Sequence, residues 1–116
     1  MKKEKTCKIV FSDIDGTLLT SDGQITEGTK EMILNLEKKG IPFILTSARS
    51  PEGVRVIKRM LGNHAPIIAF CGGLILDNDG NEIYSKMIPL KRALELKAML
   101  DKDFPAVACN TFGGEK

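Results

Sequence analysis

The sequence predicts an α/β fold, a parallel sheet flanked by helices, on three observations. Short apolar runs at 8–12, 41–45 and 67–70 have the length and bulk of buried strands. Between them lie two amphipathic segments with helix-start and helix-stop residues at their ends. The order strand, helix, strand, helix, strand then demands crossover connections, which make the strands parallel and the architecture Rossmann-like.

Taken in order, Lys8-Ile9-Val10-Phe11-Ser12 leads into Asp13-Ile14-Asp15-Gly16-Thr17-Leu18-Leu19, an apolar run that stops on two carboxylates, a glycine and a hydroxyl. Residues 18–23 form a turn-bearing excursion closed by Ser21-Asp22-Gly23. Thr26 stands at a helix N-cap, with Ile25 before it as a hydrophobic staple. Met32, Ile33 and Leu36 give that helix an inward face, Glu31, Glu37, Lys38 and Lys39 an outward one, and Gly40 ends it. Pro42 is tolerable at the start of the second strand. Ser50, Pro51 and Glu52 open a second helix whose inward face is Val54, Ile57, Met60 and Leu61, with Arg55, Lys58 and Arg59 exposed, and Gly62 and Asn63 end it. Runs 74–76 and 82–84 bracket Asp77-Asn78-Asp79-Gly80-Asn81, a hairpin by its turn residues. Asp77 and Asp79 also match part of a calcium loop, but no distal acid completes it. After the connector Met87-Ile88-Pro89, Leu90, Ala93, Leu94, Leu96 and Leu100 carry a third helix to Asp101 or Lys102, and 105–110 reads as a strand. Two domains are expected: residues 1–86, the first part of a core with its hairpin, and 87–116, the opening of a second, α+β element.

With 116 residues and a net charge of +2 from 17 basic and 15 acidic side chains, the chain has the size of one small domain with a thin core. Its lysines are scattered, which speaks against nucleic acid. No run is long enough for a signal peptide or a membrane span, so the lysine-rich residues 1–5 read as a solvated tail on a cytoplasmic protein. Cys7, Cys71 and Cys109 sit far apart in apolar surroundings and suggest neither disulfides nor zinc. His64, the single histidine, reads as an incidental surface residue.

The chemistry concentrates at 13–17. Side chains at i and i+2 of an extended chain leave on the same side, so Asp13 and Asp15 can share one site. Two hard anionic oxygens at a strand end suit Mg²⁺. Gly16 permits a sharp turn, and the amides and hydroxyl around Thr17 offer donors to a phosphate. The indicated chemistry is phosphoryl transfer, against the plainer reading of a solvated Asp-Gly turn.

Asp13-Ile14-Asp15-Gly16-Thr17-Leu18 resembles the first motif of the haloacid dehalogenase superfamily, DxDGT followed by an apolar residue. The resemblance implies that Asp13 is the nucleophile, Asp15 the general acid and base, and Mg²⁺ the cofactor, with Asp13 and Asp15 as metal ligands. Thr46-Ser47-Ala48-Arg49 is similar to the second motif of Cof-like members. Aligned through Arg49, Ser47 is the hydroxyl that binds the transferring phosphoryl group, with Thr46 the alternative, and Ala48 replaces the usual glycine. Arg49 either binds phosphate or pins the loop. Cys71-Gly72-Gly73 departs from the family's asparagine, glycine and small residue, and Cys71 is expected to be a buried structural thiol.

The same resemblance implies that the second element is the start of a mobile cap and that the chain, a truncated product, covers about the first half of a typical member. Only Lys116 could supply the later lysine, and no late Gly-Asp pair appears. The expected function is a Mg²⁺-dependent phosphatase of small phosphorylated metabolites working through an aspartyl phosphate, impaired or inactive at this length. The alternatives are a non-catalytic remnant or interaction module that keeps a phosphate pocket and, fitting the motif poorly, a receiver-like domain. In the family the aspartate strand is central, so an exposed edge beside it, with self-association or domain exchange through that edge, is also expected.

Overall fold

The computed structural model describes residues 6–113. The lysine-rich residues 1–5 and Lys116 lie outside them. The chain divides into two units, Met1–Ser85 and Lys86–Lys116.

The first unit contains β1 (Val10–Asp13), α1 (Glu27–Lys38), β2 (Phe43–Thr46), α2 (Pro51–Leu61), β3 (Ile67–Ala69), β4 (Leu74–Leu76) and β5 (Glu82–Ser85). Their order in the sheet follows the chain, β1 to β5. β1, β2 and β3 are parallel, as the crossover argument requires, and the β4–β5 hairpin joins the same sheet antiparallel. Local sequence accounts for the helix ends. Thr26 Oγ1 accepts from the Thr29 amide at 3.3 Å, and Ser50 Oγ accepts from the Gly53 amide at 3.4 Å ahead of Pro51. Gly62 closes α2 at φ 78°, a left-handed conformation that costs glycine little.

The register sorts the strand side chains onto two faces. Phe43, Leu45, Ile67, Ala69, Leu74 and Leu76 share one face and form a single buried cluster with Ile33 of α1 and Val54, Ile57 and Leu61 of α2. Both helices therefore lie against that face. The other carries Phe11, Ile44, Ile68, Ile75 and Tyr84, and of these only Ile44 is buried.

Four expectations need correction on burial. The first apolar run is not a buried strand throughout: Ile9 is 45% and Phe11 57% exposed, because β1 is an outer strand among the described residues and Phe11 lies on the face opposite α1 and α2. Met32 lies outside the inward face of α1 at 56% exposed, leaving Ile33 as that helix's one buried residue. Arg55 and Lys58 are half-buried. Lys58 Nζ donates to Ala65 O at 2.7 Å and to Asn78 Oδ1 at 2.6 Å, tying α2 to the hairpin turn, and burial pushes its pKa down. All three cysteines are exposed, Cys71 included.

The hairpin turn is organised by Asp77, whose Oδ1 accepts from the Asp79 and Asn81 amides at 2.9 and 2.8 Å. These bonds, the Asn81 amide first, hold the carboxyl below its ordinary value of 3.8. A depressed carboxylate contributes stability above its unfolded pKa and loses it as pH falls through the folded one. Asp77→Ala should therefore lower the thermal midpoint at neutral pH, and the gap to wild type should shrink as pH drops below 3.8. Melting curves at a series of pH values check this.

In the second unit α3 (Leu90–Asp103) buries none of its residues. Lys97 and Asp101 pair at 2.6 Å one turn apart. Residues 105–110 are not a strand: they open with a turn in which the Val107 amide donates to Phe104 O, and no strand among the described residues pairs with them.

Candidate active site at the carboxyl end of the sheet

Asp13 is the last residue of β1, and its register partner is Thr46, the last residue of β2. The segment Ser47–Ser50 then leads into α2. Both strand ends thus deliver their polar residues to the same end of the sheet. Asp13 and Asp15 are exposed on either side of Ile14, which is fully buried and anchors the turn between them. Asp13 Oδ1 accepts from the Ile14 amide at 2.8 Å, and no side chain among the described residues pairs with its other oxygen.

Asp15 is tied to the second loop. Arg49 Nε donates to Asp15 Oδ2 at 2.8 Å and Nη2 to Oδ1 at 2.6 Å, a two-pronged ion pair. The Arg49 hydrogen bond, with its charge, lowers the Asp15 pKa and outweighs partial desolvation. The Asp15 partner in turn raises that of Arg49.

Ser47 is buried, with 6% exposure. Its amide donates to Ile68 O at 3.0 Å and its Oγ accepts from the Arg49 amide at 3.0 Å. The hydroxyl proton has no acceptor among the described residues. Thr46, the alternative, is half-buried beside Asp13. Gly16 has φ 75° with open space where a Cβ would stand, so the backbone can be approached closely there. The Thr17, Leu18 and Leu19 amides are not donors for a ligand, as all fold back onto Ile14 O. The Thr17 hydroxyl and the Asp15 and Gly16 amides have no partner among the described residues.

The turn after β3 carries no sequence signal of its conformation. Phe70 and Cys71 both take left-handed φ, 50° and 54°, which costs roughly 1–2 kcal/mol per residue. Their amides reach across to Arg49 O and Ser47 O, each at 2.9 Å, and hold the second loop in place. Cys71 therefore stands at this rim through its backbone, with its thiol exposed. The Asp15–Arg49 pair was equally hidden, since the partners lie 34 residues apart. His64 is exposed and pairs with Glu37 at 2.9 Å, away from these loops.

The donors suit a hard divalent cation in part. Asp13 keeps one carboxylate oxygen unengaged, whereas both oxygens of Asp15 are held by Arg49. Among the described residues no three His, Cys, Asp or Glu side chains gather. Mg²⁺ accepts one or two carboxylates and keeps several waters, so Asp13, and Asp15 when released, could hold it weakly.

The geometry is that of an α/β sheet with an acidic strand end and a buried hydroxyl beside it. The chain belongs to the haloacid dehalogenase-like hydrolases: the family model matches residues 10–115. A Haemophilus influenzae protein named "Putative phosphatase" is 40% identical over 105 residues, covering 90% of this chain and 40% of that protein. Phosphoglycolate phosphatase of Thermoplasma volcanium is 38% identical over 74 residues, 64% of this chain and 33% of that one. A haloacid dehalogenase-like hydrolase from B. subtilis superposes with a TM-score of 0.75 at 27% identity, over 83% of this chain and 34% of the other. The chain thus spans at most two fifths of the length of these relatives. No helix among the described residues is long and apolar enough to cross a membrane.

Proposed function

We propose that this chain carries the nucleophile-bearing part of a Mg²⁺-dependent phosphatase acting on small phosphorylated metabolites. The observation that carries the reading is the convergence of both loops on one segment: Asp13 by register with Thr46, and Asp15 by its ion pair with Arg49. The phosphoglycolate phosphatase among the relatives supports a small, acidic phosphate ester as the substrate class.

In this reading the Asp13 carboxylate attacks phosphorus, the ester P–O bond breaks, and Asp15, freed from Arg49 and protonated from solvent, donates that proton to the departing oxygen. Asp15 then takes a proton from the water that attacks the aspartyl phosphate, and inorganic phosphate leaves with Asp13 restored. Ser47, Gly16, Thr17 and Arg49 contact the phosphoryl oxygens, Ser47 through its uncommitted hydroxyl and Thr17 through its side chain rather than its amide. A bound Mg²⁺ supplies the charge neutralisation that two approaching anions require. The second unit belongs to this proposal as the opening of a cap, and the uncovered side of β1 as the edge where another chain would pair. Three unpaired thiols suit a cytoplasmic setting.

The test is hydrolysis of an aryl phosphate by the 116-residue chain. Slow turnover is expected that stops on addition of a chelator and returns with Mg²⁺. Turnover indifferent to the chelator contradicts the metal-dependent reading. No turnover with any divalent ion favours the non-catalytic alternative.

A further inference from the structure

We infer that Arg49 is a two-position clamp: it grips Asp15 in the resting chain and passes to the phosphoryl group when substrate enters, which releases Asp15 toward the leaving-group oxygen. The inference deepens the phosphatase reading and rests on it. Its ground is a conflict in the geometry. Asp15 must present an oxygen to the leaving group, yet both its oxygens are occupied by one guanidinium, at 2.8 and 2.6 Å. While the pair stands, one acceptor site on each oxygen is taken and the carboxylate is oriented toward Arg49 rather than toward an incoming ester.

The arginine is built to exchange partners. Its planar fork fits a phosphate as well as a carboxylate, and a phosphate dianion offers more charge and more acceptor oxygens. The pair sits in reach of solvent, with Arg49 33% and Asp15 61% exposed, so no desolvated charge is stranded when it opens. Only the side chain need move. The Arg49 amide is held by Ser47 Oγ at 3.0 Å and its carbonyl by the Phe70 amide at 2.9 Å, while its stem lies across Gly53, where an added Cβ would come within 3.1 Å. Ser47 belongs to the same tethered segment, which keeps the hydroxyl in place for the phosphoryl group that draws the guanidinium over.

The experiment is calorimetric titration of the full chain with inorganic phosphate in the presence of Mg²⁺, for wild type, Asp15→Asn, Arg49→Ala and the double variant. If Arg49 is shared, removing its competing partner should tighten phosphate binding about three- to fivefold, and the gain should vanish in the Arg49→Ala background. An equal gain with and without Arg49 reflects general charge repulsion and overturns the clamp, as does an Arg49→Ala chain that binds phosphate as tightly as wild type. On the unmutated chain, the Arg49 Nε–Hε NMR signal should move to a new position as phosphate saturates the site. A stationary signal with phosphate bound overturns the clamp, and so does a failure of every variant to bind phosphate. A covalent phosphoryl label on Asp13 alongside a stationary Arg49 would leave the phosphatase reading intact and remove only the clamp.

Discussion

Asp13→Asn is expected to abolish phosphate ester turnover, with a loss on the order of a thousandfold or more. The amide is nearly isosteric with the carboxylate, so the substitution separates chemistry from fold. Asp13 is exposed, and its one hydrogen bond, from the Ile14 amide at 2.8 Å, can be accepted by an asparagine oxygen equally well. What disappears is the negative charge that makes the side chain a nucleophile and a metal ligand. Melting of the variant should match wild type while release of aryl alcohol falls to background. Full activity in Asp13→Asn would remove the aspartyl phosphate from the mechanism.

The second large effect falls on stability. Leu45 is 1% exposed at the centre of the cluster, on the middle of three parallel strands, with α1 and α2 packed over its face. Truncation to alanine leaves a cavity that this face cannot close, so Leu45→Ala should cost roughly 2–5 kcal/mol. A domain this small has about 5–15 kcal/mol in total, and its one-sided core puts it toward the lower end. Phe11→Ala is the control: a larger side chain, but 57% exposed on the uncovered face, and its loss should cost under about 1 kcal/mol. Urea unfolding midpoints compare the two. Equal losses would mean that the two faces of the sheet are not buried as described.

What the sequence disclosed was what local chemistry decides. Thr26 and the Ser50-Pro51 pair announced the two helix starts because capping acts within four residues, and α2 runs over Pro51–Leu61 as its periodicity foretold. The hairpin was legible for the same reason, since Asp77 bonds within its own turn. What escaped notice depended on distant parts of the chain. Phe11 is as apolar as any strand residue, and it is exposed because no element among the described residues covers its face. Lys58 had every mark of a solvated lysine until the hairpin folded back to meet it. Residues 105–110 have strand composition but no partner strand among the described residues, and composition alone does not make a ladder. At the site, the motif singled out Asp13, Asp15 and Ser47, but it could not reveal that Arg49 would occupy both oxygens of Asp15. That bond spans two loops brought together by the β1–β2 pairing.

The proposed chemistry stands or falls on whether Asp13 accepts phosphorus. The direct measurement is to incubate the chain with a reactive phosphoryl donor and Mg²⁺, quench in acid, reduce with borohydride and map the modified residue by peptide mass spectrometry. Homoserine is expected at position 13 and nowhere else, absent without Mg²⁺ and absent in Asp13→Asn. Modification at Asp15 or another residue, or steady turnover in wild type with Asp13 never modified, would contradict the aspartyl phosphate route.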